Sequence, residues 1–316
     1  MKLAAAFPGQ GSQYSGMCRS LMEEFPIVQE VFEEASDVLN LDLQDLLLNG
    51  SLEELSLSEV AQPTVVTASY ALYRVWEKQI GLVPFGAVGH SLGELSALIA
   101  AGALPFSDGV RLARERGRLM HRALQEKKGR AGIVVDIDVD TLTDIIESVR
   151  SHDYVTISGY NSPSQFIIAG HQTALLKVED DVVEAGGEFI PFRMMPMKAD
   201  APYHSALMDY LKPEFEACLQ HVTFSPTKFD VWSTVTGKII EPADNLAAIL
   251  AHQLVTPVYW NQVLEAIHEA GADLFVDIGP NQITRNLIRE NTRLPKSLSF
   301  DDQADREQLS QLLIHA

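Results

Sequence analysis

An α/β protein with a small ferredoxin-like insertion is predicted by three observations. The pentapeptide Gly89-His90-Ser91-Leu92-Gly93 lies between a short apolar strand and a Leu- and Ala-rich helix. A run of short units in the order βαββαβ covers residues 131–193. The flanking segments combine single strands with longer amphipathic helices. The expected division is a larger subdomain of residues 1–130 and 194–316 and a smaller one of 131–193.

Lys2 to Phe7 reads as a buried first strand leading into the glycine-bracketed loop Pro8-Gly9-Gln10-Gly11-Ser12-Gln13. That loop lacks the lysine and the spacing of a phosphate-binding loop. From Tyr14 to Asn49 apolar residues such as Phe25, Val28, Val31 and Phe32 recur at helical steps. Ser51 to Leu55 resembles a helix start, and Gln62-Pro63 opens a helix over Thr64 to Gln79. After the strand Phe85 to Val88 and the helix Glu94 to Ala103, Ser107-Asp108 is placed to cap a helix reaching Gln125. Arg111, Arg114, Arg116, Arg118 and Arg122 lie along it, most of them expected as solvated or ion-paired surface.

Lys127 to Gly132 marks a boundary. The smaller unit then runs through strand 133–137, helix 139–150, strands 154–160 and 165–169 joined by the turn Asn161-Ser162-Pro163-Ser164, helix 172–185 and strand 188–193. Beyond an irregular stretch, Met195 to Tyr203, a helix is expected over 206–221 with Ser205 as its cap. A strand at 229–232, helices at 243–254 and 257–270, a strand and turn at 274–280 and helices at 282–290 and 303–316 complete the chain.

Composition narrows the function. The 316 residues carry a formal net charge of −19, which would repel the phosphates of a nucleic acid. A docked acidic protein would need a local basic patch, for which Arg193 and Lys198 are candidates. The N-terminal apolar run is cut at Pro8 and Gly9, too early for a signal peptide, and no run spans a bilayer. Cys18 and Cys218 have neither disulfide nor zinc spacing. A cytoplasmic, monomeric protein without metal or cofactor is expected.

The chemistry centres on Ser91. On a sharp strand-to-helix turn, a β-carbon on either side of the serine would clash, so the glycines expose the hydroxyl. That hydroxyl needs a base. Among nine histidines, His204 fits best, in a loop directly before a helix and late in the chain. His90 adjoins the serine but should point elsewhere on so tight a turn; it remains a pocket candidate. His121, His171 and His252 read as structural, and His152, His221, His268 and His315 as surface residues. Asp200 and Asp277 are both conceivable partners for the base. An oxyanion needs two donors: the N–H of Leu92 supplies one, and Gln10 fits the second, although a plain tight turn explains its loop as well.

Phe7-Pro8-Gly9-Gln10-Gly11-Ser12-Gln13, Gly89-His90-Ser91-Leu92-Gly93-Glu94, Arg116-Gly117-Arg118-Leu119-Met120, Tyr160-Asn161-Ser162-Pro163 and Tyr203-His204-Ser205-Ala206-Leu207-Met208 together resemble the malonyl-CoA:acyl-carrier-protein acyltransferases of fatty-acid and polyketide synthesis. The resemblance spans nearly the whole chain. It implies an α/β-hydrolase-like larger subdomain carrying the ferredoxin-like insertion. It also implies an acyl-enzyme on Ser91 formed from malonyl-CoA as substrate, His204 as base and then acid, and an oxyanion held by the N–H groups of Gln10 and Leu92. Arg116 would grip the free malonyl carboxylate. The family orients its histidine with main-chain carbonyls, one in the segment matching His252-Gln253-Leu254, which sets Asp200 and Asp277 aside. Gln62 matches a pocket glutamine, and Gln253, His90 and Tyr203 complete the expected substrate pocket. The implied partner is a phosphopantetheinylated acyl carrier protein.

Departures carry information too. Tyr203 stands where the fatty-acid enzymes usually have a small residue, and its ring would narrow the space beside the acyl α-carbon, favouring malonate over methylmalonate. The loop Asp277 to Gln282 is less glycine-rich than its family counterpart. A free-standing chain of this kind resembles a trans-acting acyltransferase of a polyketide assembly line. Its rivals are a housekeeping fatty-acid transacylase and a hydrolase that clears stalled carriers. A buried guanidinium would serve no purpose on chains lacking a carboxylate, so Arg116 argues against the hydrolase. With serine, histidine and arginine all present, a non-catalytic scaffold is disfavoured.

Overall fold

The structure, a computed structural model, describes residues 1–195, 200–242, 244–291 and 293–314. The chain opens with β1 (Leu3–Phe7) and the helices α1 (Arg19–Glu24), α2 (Pro26–Leu39), α3 (Leu43–Asn49), α4 (Leu52–Ser56) and α5 (Ser58–Gln79). β2 (Gly86–Gly89), α6 (Gly93–Ala100) and α7 (Phe106–Glu126) follow. Next come β3 (Arg130–Val135), α8 (Val139–Arg150), β4 (Val155–Ser162), β5 (Gln165–Gly170), α9 (Gln172–Glu184) and β6 (Glu188–Pro191). The chain ends through α10 (Lys212–Leu219), β7 (Asp230–Trp232), α11 (Leu246–His252), α12 (Trp260–Glu269), β8 (Leu274–Asp277), α13 (Ile283–Glu290), β9 (Ser297–Ser299) and α14 (Gln303–Ile314).

Among the described residues the strands form two sheets. The larger is parallel throughout, in the order β7-β2-β1-β8-β9. Its strands are buried on both faces, as a parallel sheet covered by helices must be. Leu3, Ala5 and Phe7 join one core while Ala4 and Ala6 join the other, which follows from the two-residue period of a strand. The smaller sheet, β4-β5-β3-β6, is antiparallel and packs α8 and α9 over Val134, Ile157, Phe166 and Ile168. This is the ferredoxin-like arrangement expected from the βαββαβ pattern.

A bulged register in β4 ties the smaller sheet to the segment before α12. There Tyr160 N–H donates to the Val258 carbonyl at 2.9 Å and Val258 N–H to Ser158 at 3.0 Å, with the Tyr160 and Tyr259 rings stacked beside them. That junction places Asn161 over the end of β2.

Local chemistry revised several elements. The helical stretch expected over 14–49 is three helices, because Pro26 opens a new one and Asn40 turns left-handed at φ 48°. Asp42 then caps α3 by accepting from Asp45 N–H at 2.9 Å. α5 begins at Ser58, so Pro63 lies inside the helix rather than opening it. Neither Ser107 nor Asp108 caps α7: the cap position is Pro105, and Asp108 pairs with Arg111 in the first turn. Ser205 spends its hydroxyl on the Pro202 carbonyl at 2.6 Å, and the helix expected over 206–221 is a 3-10 turn, Ala206–Leu211, followed by α10. β9 is three residues long and carries no period by which the sequence could reveal it. Lys198 and His315, the middle of the irregular stretch at 196–199 and the first residue of the helix expected over 243–254 lie outside the described residues.

Candidate active site

The site is built where β1 and β2 end side by side. Phe7 pairs with Gly89, and His90 N–H donates to the Phe7 carbonyl at 2.9 Å, so the loop carrying Gln10 and the turn carrying Ser91 adjoin. The turn is tight enough to require glycine twice. A Cβ on Gly89 would lie 2.0 Å from Glu94 N, and one on Gly93 would lie 2.1 Å from the Phe7 oxygen. Ser91 between them takes φ 52°, a conformation that non-glycine residues adopt at a cost and that the surrounding packing must enforce.

His204, also at positive φ, is brought to this serine from 113 residues away: Ser91 Oγ and His204 Nε2 are 2.7 Å apart. Its other nitrogen, Nδ1, is 2.8 Å from the main-chain oxygen of Gln253. A carbonyl only accepts, so Nδ1 carries the proton and Nε2 is left free to receive the one on Ser91. Burial, reinforced by the Arg116 charge, pushes His204 down to about 3, which keeps the ring neutral.

Neither aspartate touches this histidine. Asp200 holds Arg130 and the Ala131 N–H, and Asp277 accepts from Arg285 N–H at 2.9 Å.

Arg116 lies on the inner face of α7, 1% exposed, while Arg111, Arg118 and Arg122 pair with acids nearer the surface. Gly117 lets α7 approach α5, since a Cβ there would meet the Ser58 oxygen at 2.2 Å. That approach sets Gln62 against the guanidinium. Arg116 Nη1 donates to Gln62 Oε1 at 2.9 Å and to Met120 Sδ at 3.4 Å; Nη2 donates to Ser91 Oγ and Gln253 Oε1, each at 3.0 Å. These partners are all neutral, and among the described residues Nε has none. Burial lowers Arg116 to about 10, still charged at neutral pH. Gln62 in turn reaches Gln10 Oε1 at 3.1 Å, and Gln10 donates to Ser58 Oγ at 3.0 Å.

The remaining sequence candidates take varied places. The main-chain N–H groups of Gln10 and Leu92 donate to no other group among the described residues. His90 points away from the serine, toward Asn161 Oδ1 at 2.9 Å, and its ring meets Trp260 edge-on. Tyr203 directs its hydroxyl into the interior beside Arg116, and burial lifts that hydroxyl to about 12. Arg193 is exposed in the turn after β6.

Two residues at the site had no assigned role in the sequence. Asn161 anchors His90 and is itself held through its carbonyl by Asn291 Nδ2 at 3.1 Å. Glu94, fully buried, accepts from Gln253 Nε2 at 2.6 Å. A lone carboxylate in the otherwise apolar-faced helix Gly-Glu-Leu-Ser-Ala-Leu-Ile-Ala was the available signal for it.

Comparison with known proteins places this geometry. The acyl transferase domain family matches residues 6–298. A malonyl CoA-acyl carrier protein transacylase of Haemophilus influenzae is 33% identical over 314 residues, covering 99% of each chain. The crystal structure of the transacylase of that name from Clostridium perfringens superposes with a TM-score of 0.93 at 30% identity, over 100% of this chain and 98% of that one. A malonyl-transacylase solved in complex with its type II polyketide synthase acyl-carrier protein gives 0.90 at 34% identity, over 96% and 97%. Matched from end to end in sequence and in fold, the chain belongs to the acyl transferase family, among its malonyl CoA-acyl carrier protein transacylases.

Proposed function

We propose that Ser91 carries a malonyl group from coenzyme A to the pantetheine thiol of an acyl carrier protein. The observation that carries this reading is Arg116: a buried, charged guanidinium whose partners among the described residues are all neutral, 3.0 Å from Ser91 Oγ. A malonyl thioester acylating Ser91 has its free carboxylate two carbons from the reacting carbonyl, within reach of that guanidinium. Its binding would compensate a charge that has no ion pair among the described residues.

In the first half-reaction Ser91 Oγ attacks the thioester carbon as His204 Nε2 takes the hydroxyl proton. The resulting oxyanion is met by the N–H groups of Leu92 and Gln10, which lie on two adjoining turns and have no acceptor among the described residues. The tetrahedral adduct collapses by breaking its C–S bond, and His204 returns the proton to the departing coenzyme A sulfur. In the second half the carrier thiol gives its proton to His204, attacks the Ser91 ester and takes the acyl group; the histidine restores the serine proton. The proton balance closes without a metal or cofactor.

The carrier system is the finer question. We read the chain as serving a polyketide assembly line, supported by Tyr203 beside the pocket and by the likeness to a transacylase paired with a polyketide carrier. The housekeeping fatty-acid transacylase uses the same chemistry on another carrier.

Intact-mass spectrometry after mixing with malonyl-CoA tests the core of the proposal. One malonyl adduct is expected on the wild type and none on Ser91→Ala; a wild type without adduct would end the reading. Competition between malonyl, methylmalonyl and acetyl thioesters, read with carriers of both pathways, then decides the setting. Equal acylation by malonyl and methylmalonyl esters would remove Tyr203 as the selective element.

A further inference from the structure

We propose that Glu94 is a positioning residue of the transfer reaction, acting through the amide of Gln253 to fix the Arg116 guanidinium. The inference rests on the malonyl-transfer reading above.

Gln253 has an unusual place, because it touches the nucleophile, the base and the guanidinium at once. Its main-chain oxygen accepts from His204 Nδ1, its Nε2 donates to the Ser91 main-chain oxygen at 2.9 Å, and its Oε1 accepts from Arg116 Nη2. A primary amide can be turned over with almost no change in shape, and reversal here would aim its NH2 at a guanidinium that also only donates. Something must forbid that reversal. The Ser91 carbonyl favours the observed orientation, and Glu94 strengthens the preference: its Oε2, 2.6 Å from Gln253 Nε2, accepts a charge-assisted bond.

The carboxylate has no solvent route to satisfaction. Glu94 is 0% exposed, and its Oε1 has no hydrogen-bond partner among the described residues. Such burial is costly for an ionisable side chain that only packs. The acid is separated from Arg116 by the one intervening amide, so it also offers the nearby negative charge that the guanidinium lacks in its direct contacts. Burial raises the Glu94 acid to about 7, against the opposing pull of the Ser233 hydroxyl, the Gln253 amide and the Arg116 charge.

The test compares transfer of malonyl and acetyl groups by the full chain and by Glu94→Gln, Gln253→Met and the double variant. Acetyl lacks the carboxylate that Arg116 would hold, so the ratio of the two kcat/KM values reads guanidinium placement rather than general damage. Glu94→Gln keeps the volume but lets the paired amides bond in either sense. The malonyl-to-acetyl ratio is expected to fall about tenfold, the size of a lost buried charge-assisted bond. Gln253→Met keeps the main-chain bond to His204 and should show the same fall, and the double variant should add nothing to it.

An unchanged ratio in Glu94→Gln, or additive losses in the double variant, would overturn the proposal. Should Glu94→Gln not fold, Gln253→Met decides alone: an intact ratio there means the amide does not place Arg116. A wild type that forms no malonyl adduct would instead refute the function on which the inference rests, so the two failures are separate.

Discussion

As the proposed base, His204 draws its character from its neighbours. Burial and the adjacent Arg116 charge hold its pKa near 3, while the Gln253 carbonyl pulls the other way. A malonyl carboxylate paired with Arg116 would cancel part of that charge, and the histidine would strengthen as a base when its substrate arrives. Removing a positive neighbour favours the protonated ring, so Arg116→Ala should raise the His204 pKa toward its ordinary value of about 6.5. The acid limb of Ser91 labelling by a fluorophosphonate, a probe without a carboxylate, should therefore move to higher pH. An unmoved limb would leave burial as the whole cause. In the same variant malonyl transfer should fall by about a hundredfold, the upper range for hydrogen bonds to a charged group, and acetyl transfer much less. Ser91 was legible in the sequence because its constraint is local: glycine on either side of one residue. The carbonyl that orients His204 was legible only by likeness, because main-chain oxygens carry no residue code.

Elements succeed or fail in the sequence by whether their signals are local. The helix start at Ser51, where Ser51 and Glu54 form a capping box, and the short apolar run of β1 read directly. Three-residue β9 did not, since its strand character comes from pairing with β8. Asp277 shows how an element can claim a residue that looks catalytic. It ends β8, and its Oδ2 accepts from Arg285 N–H in the first turn of α13, so the carboxylate satisfies a helix terminus. Asp277→Ala should accordingly cost about 1 kcal/mol of stability, seen as a lowered Tm, while the rate of acyl-enzyme formation stays within about twofold. A large loss of that rate at unchanged Tm would return the aspartate to the mechanism.

Across the whole molecule, 43 acidic against 24 basic residues leave a field of one sign. Pairs such as Arg122 with Glu214 and Arg285 with Asp305 use several of the available cations. The surplus carboxylates repel one another, and salt screens that repulsion within a Debye length of about 10 Å at 0.1 M. Raising NaCl from about 0.02 to about 0.3 M should therefore raise Tm by a few degrees. A fall would mean that the ion pairs outweigh the repulsion. The same field would oppose an acidic carrier, whose docking would need a local basic patch; of the two candidates named from the sequence, Arg193 is exposed after β6.

By itself the sequence determined the elbow at Ser91, the βαββαβ insertion and the short apolar strands, because each depends on sterics or periodicity within a few residues. The choice of His204 among nine histidines rested on its place in the chain, and the arginine's role rested on likeness. The tertiary structure alone decided which partners these groups keep. Gln253 stands 162 residues from Ser91, 137 from Arg116 and 159 from Glu94, yet bonds to each of them. Contacts across such separations are set by how α6, α7 and the turn after α11 pack, and no local pattern encodes them.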